Sequence, residues 1–323
     1  MNDFLYPGAI SVIIPTIGRP DSLRRLLDSL CLQSVKVFEV IVADGSVTGE
    51  TAAVASDVCW REAGLVVKQV YVQPPNAVRQ RQAAIALAAG EYFLLLDDDV
   101  ALESDCVAQM VKLLGDDAGT VAVFADFTNQ SWPMPTRAWR MYLRFVLRMP
   151  EDAWQGRVVG PLLRFGYKPT PKEPMTIEWL GTCNTMIRRS AYDKAGGFSD
   201  FFLHRCTMNE DVDLGLKLNQ VGRILFCPMA RLGHYHAPGG RVSTRVAAED
   251  DLYNRYLIMR QTQKRSVGAA FGFVLLYFVV ETASNFGGCL RRLKANGVLA
   301  RTTGRLCAVV KILLSICSRG EQS

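Results

Sequence analysis

Short apolar runs alternate with segments of helical spacing through the first hundred residues. Four runs are rich in β-branched and aromatic residues, which predicts strands at residues 10–14, 37–43, 65–72 and 92–96. Leucines recur at helical spacing from Leu23 to Leu30, and Asn76 is a good N-cap for an Ala-rich helix that ends at Gly90. This alternation predicts an α/β fold with a doubly wound, mainly parallel sheet.

The pattern becomes less regular after residue 100. Residues 130–175 are rich in Trp and Pro, which predicts an irregular insertion beside the functional site. Regular spacing then returns, with a strand within 177–188, a helix near 190–195 and a short strand at 223–227. A further helix begins near Asn209, and Asp213 is expected to be exposed on it.

The strand at 92–96 ends in three acids, Asp97, Asp98 and Asp99. An unpaired carboxylate in a core costs several kcal/mol, so these acids belong where the strand leaves the sheet. That carboxyl edge is where open α/β folds bind their ligands, and the D-x-D spacing suits a divalent cation and phosphates. The alternative is that the acids cap a following helix.

Composition places the chain among globular proteins, because 49% of its 323 residues are hydrophobic and 21% are charged. Nine scattered cysteines without a C-x-x-C spacing favour reduced thiols in a cytoplasmic setting over a zinc site or a disulfide framework. The first residues lack the pattern of a secretory signal. The basic tail lacks interleaved base-stacking aromatic residues, so no nucleic-acid partner is predicted.

Basic charge is concentrated near the C-terminus. Residues 260–323 hold ten Lys and Arg against two acids, a net charge of +8, so the first 259 residues carry −2 of the total of +6. The apolar stretches 266–280 and 306–317 are shorter than the roughly 20 residues of a membrane span, and extending the first one places Glu281 near its middle. Flanking basic residues favour helices that lie in an anionic membrane surface. The alternatives are packing on the protein and a true span.

Several segments together resemble family 2 glycosyltransferases with the GT-A fold. The resemblance rests on residues 11–16 with Arg19 and Pro20, 42–46, 79–90 running into 96–99, 181–184, 196–198 and 210–213. It implies a GT-A domain at residues 8–245, followed by a helical, membrane-facing tail at 246–323. It also implies inverting transfer of one sugar from a UDP- or dTDP-sugar to a hydroxyl of a glycan or lipid-linked acceptor, in cell-surface polysaccharide synthesis. The protein would act in the cytoplasm, on the inner face of the cytoplasmic membrane.

The resemblance assigns the donor side of the site. Asp44 would accept a hydrogen bond from the base, although Asp before Gly is also a common turn residue. The other donor-binding residues are Pro15, Thr16, Arg19, Arg79, Asp97, Asp98 and Arg241. Asp98 is nevertheless expected to turn outward or to cap the next turn. Asp99 and His234 would hold Mg²⁺ or Mn²⁺, with His236 a close second to His234.

On the acceptor side, the resemblance makes Asp211 the general base and places Glu210, Gly181 and Trp179 near the acceptor. Without the resemblance, Glu210 and Asp211 are acids that complement a helix dipole. The irregular segment 130–175 is expected to shape acceptor choice. The chain lacks the Q-x-x-R-W of processive synthases, which favours single-sugar addition. Two other functions stay open, a sugar-phosphate nucleotidyltransferase and a non-catalytic nucleotide-sugar binder.

Overall fold

The computed structural model describes residues 8–237, 242–292 and 297–320, and the side chains of all of these except 287–292 and 319–320. The described strands are β1 (Ile10–Thr16), β2 (Glu39–Asp44), β3 (Val67–Tyr71), β4 (Tyr92–Leu96), β5 (Val100–Leu102), β6 (Thr120–Phe127), β7 (Val158–Val159), β8 (Leu163–Arg164), β9 (Met175–Ile177), β10 (Asn184–Arg188) and β11 (Arg223–His234). The described helices are α1 (Pro20–Cys31), α2 (Glu50–Ala55), α3 (Cys59–Glu62), α4 (Ala77–Leu87), α5 (Cys106–Asp116), α6 (Arg137–Met141), α7 (Arg189–Lys194), α8 (Glu210–Leu218), α9 (Thr244–Gln261), α10 (Val267–Arg292) and α11 (Val298–Gly320).

The chain divides into two units. The sheet unit comprises Met1–Trp132, Tyr167–Ser199 and Leu214–Gly240, and the helical unit comprises Pro133–Gly166, Asp200–Asp213 and Arg241–Ser323. The helical unit therefore takes in two segments that precede the boundary predicted at residue 245.

The sheet unit contains one mixed sheet in the order β3-β2-β1-β4-β10-β6-β11-β5, with β9 also paired to β11. The four strands predicted in the first hundred residues are all present and run parallel to one another. Strand β10 runs antiparallel between β4 and β6, and β11 is parallel to β6. This α/β architecture confirms the predicted fold class.

The local signals of the sequence match the packing of this unit. The leucines of α1 lie against the sheet, and Leu23, Leu26 and Leu27 have no exposed surface. Asn76 caps α4, accepting a hydrogen bond of 3.0 Å from the backbone N–H of Arg79. The chain does not enter a helix after Asp99 but continues directly into β5, so the interpretation of the three acids as a helix cap is wrong.

Strand β11 is longer than the sequence predicted. The short strand expected at 223–227 extends to His234, with a register shift between Cys227 and Arg231. Its first part pairs with β6 and β9, and its last part pairs with β5, which places His234 opposite Val100. Pairing partners on both sides stabilise the extra residues, and this information is absent from the local sequence.

The helical unit packs α9 against α10 and α11, and it contains the β7–β8 hairpin. The segment expected to be irregular includes α6 and a π-helical turn at Tyr142–Val146 that continues it. Asp213 is fully buried, so the expectation of an exposed side chain is wrong. Its carboxylate accepts a hydrogen bond from the hydroxyl of Thr262 at the end of α9, which offsets the cost of burial.

Among the described residues, one helix is long and apolar enough to cross a membrane. Its segment Val267–Phe286 has a mean hydropathy of 1.7 and is 17% buried. Glu281, which follows the uncharged stretch of this helix, has partners inside the unit. It accepts a hydrogen bond of 2.8 Å from Trp139 Nε1 and lies 3.5 Å from Arg305 Nη2.

Candidate functional site

Three candidate metal ligands from distant parts of the sequence meet at one end of the sheet. A carboxylate oxygen of Asp97, a carboxylate oxygen of Asp99 and a ring nitrogen of His234 all lie within 4.8 Å of one another. The pairing of β11 with β5 brings His234 here, and its Nε2 lies 3.0 Å from Asp99 Oδ1. Carboxylates and imidazole are common ligands of divalent cations, so these residues fit a metal ion.

The carboxylate of Asp99 has a donor on each side. Besides His234 at Oδ1, the backbone N–H of Ala237 donates a hydrogen bond of 2.9 Å to Oδ2. Burial by itself raises the pKa of Asp99, but the hydrogen bonds from His234 and Ala237 outweigh it and the pKa is lowered. Asp99 is therefore ionised near neutral pH, as a metal ligand has to be.

His236 lies beside this cluster. Its ring centroid is 4.2 Å from that of His234, and its Nε2 lies 2.9 Å from Gln130 Nε2. Among the described residues, the three-residue cluster contains His234 and not His236. The assignment of His234 as a metal ligand stays a prediction.

The side chain of Asp98 points into the protein, so the expectation that it turns outward is wrong. Asp98 is 2% exposed, and its carboxylate accepts hydrogen bonds from Thr16 Oγ1 at 2.7 Å and from Arg19 Nη1 at 3.1 Å. Thr16 ends β1 and Arg19 follows it, some eighty residues earlier in the chain, and their hydrogen bonds partly offset the cost of burying the carboxylate. Burial nevertheless has the largest effect and raises the pKa of Asp98 to about 6.

Replacing Asp98 with Asn is expected to change how stability depends on pH. The pKa of Asp98 is about 6 in the folded chain and near 3.9 in an unfolded one, as is usual for Asp. The folded state therefore keeps this proton to higher pH than the unfolded chain does. As a result, the free energy of unfolding of the wild type falls by about 3 kcal/mol as the pH rises between the two pKa values. In urea unfolding with a chelator present, the stability of Asp98→Asn relative to that of the wild type should increase between about pH 4 and about pH 7. A difference that does not vary with pH would contradict the shift.

Asp97 is paired with Arg81, a residue that the sequence did not single out. Arg81 Nη2 lies 2.5 Å from Asp97 Oδ1, and the Arg81 side chain is 3% exposed. Arg81 lies in the N-terminal half of α4, where the neighbouring Gln80 donates to the carbonyl oxygens of Thr16 and Ala43, so Arg81 reaches the same end of the sheet. A charged residue within an Ala-rich helix was the available signal, because a buried Arg requires an acidic partner.

An open cavity of about 450 Å³ lies beside Asp44. Asp44 Oδ1 accepts hydrogen bonds from the backbone N–H and the hydroxyl of Ser46, and Oδ2 accepts one of 3.1 Å from Gln69 Nε2. Tyr71 lines the cavity and is 61% exposed. Asp44 thus organises its own turn and also borders a space that an aromatic heterocycle fits. The sequence did not identify Ser46, Gln69 or Tyr71.

Thr16 connects this cavity with the acidic cluster. Its hydroxyl donates to Asp98, while its carbonyl oxygen accepts hydrogen bonds from the Gly45 N–H at 2.9 Å and from Gln80 Nε2 at 2.7 Å. Pro15, the residue before it, lies opposite Ala43 in the parallel register of β1 and β2. The ends of β1, β2 and β4 are therefore tied together by direct hydrogen bonds.

Three arginines remain among the residues predicted to bind the donor, and they differ in their surroundings. Arg19 Nη1 lies 3.8 Å from Asp99 Oδ2 in addition to its contact with Asp98. Arg79 Nη1 donates a hydrogen bond of 2.9 Å to the carbonyl oxygen of Pro74. Arg241 lies outside the described residues, and its contact with a diphosphate stays a prediction.

The two predicted acceptor residues of the sheet unit lie in a packed region. Trp179 is 6% exposed, and its ring centroid is 5.4 Å from that of Phe124 and 5.6 Å from that of Trp132. A Cβ on Gly181 would lie 2.6 Å from Asn184 Oδ1 and 3.1 Å from the Phe124 ring, so a larger residue does not fit there. Their roles toward an acceptor stay predictions.

Glu210 and Asp211 lie in the first turn of α8, within the helical unit. Asp211 Oδ1 accepts a hydrogen bond of 2.8 Å from the Val212 N–H and lies 2.9 Å from Arg164 Nη1. The Asp211 side chain keeps 17% of its surface exposed. It therefore has the helix-terminal position that local sequence indicated, and part of its carboxylate is accessible. Arg164 was not identified from the sequence.

In the sheet unit, these features together suit a phosphorylated nucleotide. The cation ligands would face phosphate oxygens, and the cavity beside Asp44 would face the base. Arg19 and Arg81 supply positive charge close to the acids.

The comparisons with known proteins agree with this geometry. The family model described as "Glycosyl transferase family 2" matches residues 11–196. The "O-antigen biosynthesis protein RfbC" of Myxococcus xanthus is 28% identical over 250 residues, covering 74% of this chain and 18% of that protein. The "GalNAc(5)-diNAcBac-PP-undecaprenol beta-1,3-glucosyltransferase" of Campylobacter jejuni is 29% identical over 105 residues, covering 32% of this chain and 33% of that protein. The chain thus spans a minor part of the length of both relatives.

Two solved structures share the fold over most of the chain. One is the mannosyltransferase PcManGT from Pyrobaculum calidifontis in complex with GDP-Man and Mn²⁺, with 17% identity and a TM-score of 0.55, covering 95% of this chain and 87% of that one. The other is the 1–349 segment of S. aureus TarS in complex with UDP-GlcNAc, with 14% identity and a TM-score of 0.57, covering 93% of this chain and 81% of that one. At these identities the likeness shows the fold, which is the predicted GT-A fold.

Proposed function

This chain belongs to glycosyl transferase family 2, and from that premise we propose that it transfers a single sugar from a nucleoside diphosphate sugar to a hydroxyl of a glycan or lipid-linked acceptor. The observation that carries the proposal is the link through Thr16 between the turn at Asp44 and Asp98, the residue between the cluster members Asp97 and Asp99. A base pocket and a cation site joined in this way suit the two ends of a nucleoside diphosphate.

The donor would bind along this line. The carboxylate of Asp44 would accept a hydrogen bond from a base N–H, and the exposed ring of Tyr71 would stack on the base. Asp97 would contact the ribose or the metal, while Arg19 would keep Asp98 paired behind the site. Uracil and thymine expose an imide N–H that this carboxylate would accept, and we propose a UDP- or dTDP-sugar as the donor.

Asp99 and His234, with Asp97 beside them, are the residues that would hold the metal. A bound divalent cation neutralises the charge that develops on the departing diphosphate. Mg²⁺ prefers oxygen ligands, so a ring nitrogen in the cluster supports Mn²⁺ as the better fit of the two.

The chemistry assigned to the protein itself is a proton transfer. The acceptor oxygen would attack the anomeric carbon as the bond from that carbon to the diphosphate oxygen breaks, which inverts the configuration. The carboxylate of Asp211 would take the acceptor proton, and its hydrogen bonds from Val212 and Arg164 would orient it. Glu210, Gly181 and Trp179 are proposed to border the acceptor, and Arg241 to contact the diphosphate.

The names of the relatives support a place in surface polysaccharide synthesis, because one is named for O-antigen biosynthesis and the other for an undecaprenol-linked acceptor. We therefore propose a cytoplasmic enzyme that is peripheral on the inner face of the cytoplasmic membrane. Residues 8–245 would form its transferase domain, and residues 246–323 its membrane-facing tail.

A panel of nucleotide sugars with Mg²⁺ or Mn²⁺ tests the donor assignment. We expect thermal stabilisation by a UDP- or dTDP-sugar that needs the metal, together with slow release of the nucleoside diphosphate. Asp44→Ala should weaken this binding about tenfold, because one hydrogen bond to a charged group is lost. Asp193→Ala, at an exposed position of α7, is the matched control. Pyrophosphate release from a nucleoside triphosphate and a sugar phosphate would instead indicate a nucleotidyltransferase, and binding without any turnover a non-catalytic binder.

A further inference from the structure

Residues 127–150 contain four arginines and no acidic residue. These arginines are Arg137, Arg140, Arg144 and Arg148, at spacings of three, four and four residues. The first three fall on α6 and the π-helical turn that continues it, and spacings of three and four align side chains on one side of a helix. The segment is therefore a basic stripe of net charge +4 in the helical unit.

The opposite side of this segment fixes it to the helical unit. Trp139, Tyr142 and Leu143 are 2%, 8% and 2% exposed. The Trp139 ring stacks on Tyr277 of α10 at a centroid distance of 6.0 Å, and its Nε1–H donates to Glu281. The segment is thus held by its buried side, and its other side chains point to solvent.

The outward side combines charge with apolar surface. All four arginines are exposed, and none forms an ion pair with a residue in the described part of the chain. Between them, Met141, Phe145 and Val146 are 53%, 66% and 66% exposed. Large apolar side chains that remain together in water mark an interaction surface. We call residues 137–148 with these outward side chains the arginine face.

The arginine face is accompanied by further exposed apolar residues in the same unit. On α10 the exposed residues include Leu275, Val279 and Phe286, and on α11 they include Leu306 and Leu314. The stretch of α10 from Ser266 to Val280 carries no charge, and the C-terminal segment is strongly basic. At the same time α10 buries Ala270, Val274 and Tyr277. One side of α10 is therefore occupied by protein, which favours a helix lying on a bilayer over one crossing it.

From this arrangement we propose that the arginine face docks on an anionic phospholipid bilayer. The guanidinium groups would pair with lipid phosphates, and Met141, Phe145 and Val146 would enter the acyl boundary. Charge complementarity carries the choice of partner, because residues 137–148 hold four arginines and no acidic residue, and such a segment fits a continuous sheet of phosphates. The inference rests on the membrane location proposed above, but it assigns the contact to a segment outside the tail. The expectation that residues 130–175 shape acceptor choice stays a prediction.

Flotation of the full chain with vesicles tests the proposal. The vesicles are phosphatidylcholine alone or with one-third phosphatidylglycerol. We expect binding to the anionic vesicles that weakens as salt is raised. The variant Arg137→Gln/Arg140→Gln/Arg144→Gln should bind them roughly a hundred-fold more weakly, at about fivefold for each basic residue near the surface. Phe145→Ser/Val146→Ser should lower binding roughly tenfold through the apolar contribution.

A control variant removes the same charge elsewhere. Arg61→Gln/Lys112→Gln/Lys194→Gln lies on exposed positions of the sheet unit and should float like the wild type. Equal flotation of the arginine variant and the wild type would overturn the proposal, as would a wild type that ignores phosphatidylglycerol. It would also be overturned if the arginine variant changed the sedimentation mass, or the KM for a soluble acceptor, without changing flotation.

Donor-sugar hydrolysis without vesicles separates this inference from the proposed function. The arginine variant should hydrolyse the donor like the wild type, because its changes lie on the outward surface. Flotation that depends on the arginines in a protein without hydrolysis would reject the transferase assignment and keep the docking surface. If the wild type hydrolyses the donor but the arginine variant floats like the wild type, the transferase assignment is kept and the docking surface is rejected.

Discussion

Asp211→Asn is expected to lower kcat for sugar transfer by about 10²- to 10⁴-fold, while the Kd of the donor stays nearly unchanged. The amide cannot accept the acceptor proton, so the attacking oxygen keeps it as the new bond forms. Asn still offers an oxygen to the Val212 N–H and to Arg164, so the start of α8 should persist. Transfer is measured in steady state, and donor binding by titration.

Two further variants separate catalysis from local structure. Arg164→Ala should lower kcat less than Asp211→Asn, because it removes an orienting contact of 2.9 Å and leaves the carboxylate in place. Asp193 is an exposed acid on α7, and Asp193→Asn should retain full activity. This control shows that removing a carboxylate elsewhere in the protein does not by itself lower kcat. Wild-type turnover in Asp211→Asn would mean that another group takes the proton.

The second large effect is expected at Asp99. Asp99→Asn should weaken metal-dependent donor binding by roughly a hundred-fold, because the cation loses an anionic ligand while the hydrogen bond from Ala237 can persist. His234→Ala should have a smaller effect of roughly tenfold, since a neutral ligand is lost. Mn²⁺ titrations of donor affinity, with EDTA as the metal-free reference, measure both.

The metal-free state provides the control for this prediction. In EDTA, the wild type and Asp99→Asn should bind the donor with similar, weak affinity, because the ligand role of Asp99 is then absent. Asp193→Asn should respond to Mn²⁺ as the wild type does. A wild-type response to Mn²⁺ in Asp99→Asn would remove Asp99 from the metal site.

Much of the sheet unit could be predicted from local sequence. Apolar periodicity located β1 to β4, and Asn76 marked the start of α4. The reason is that a strand or helix has to present a continuous apolar side to the core, and this requirement appears as spacing along the chain. The position of Asp97 to Asp99 at a strand end followed from the cost of burying unpaired carboxylates.

Pairs of residues far apart in the chain could not be predicted in this way. Asp98 was expected at the surface because its hydrogen-bond donors, Thr16 and Arg19, precede it by some eighty residues. Gln69 and Tyr71 gained a place beside Asp44 through the register of β2 with β3. Asp213 was misassigned for the same reason, since its partner Thr262 lies on another helix.

The sequence by itself therefore determined the alternation of strands and helices in the first hundred residues, the fold class and the edge of the sheet that carries the acids, because each depends on spacing within a short segment. Tertiary structure decided which side chains meet there. His234 became a neighbour of Asp99 when β11 extended to pair with β5, and Trp139 became a partner of Glu281 when α6 packed on α10. Such meetings depend on the summed packing of whole elements, and no local pattern encodes that sum.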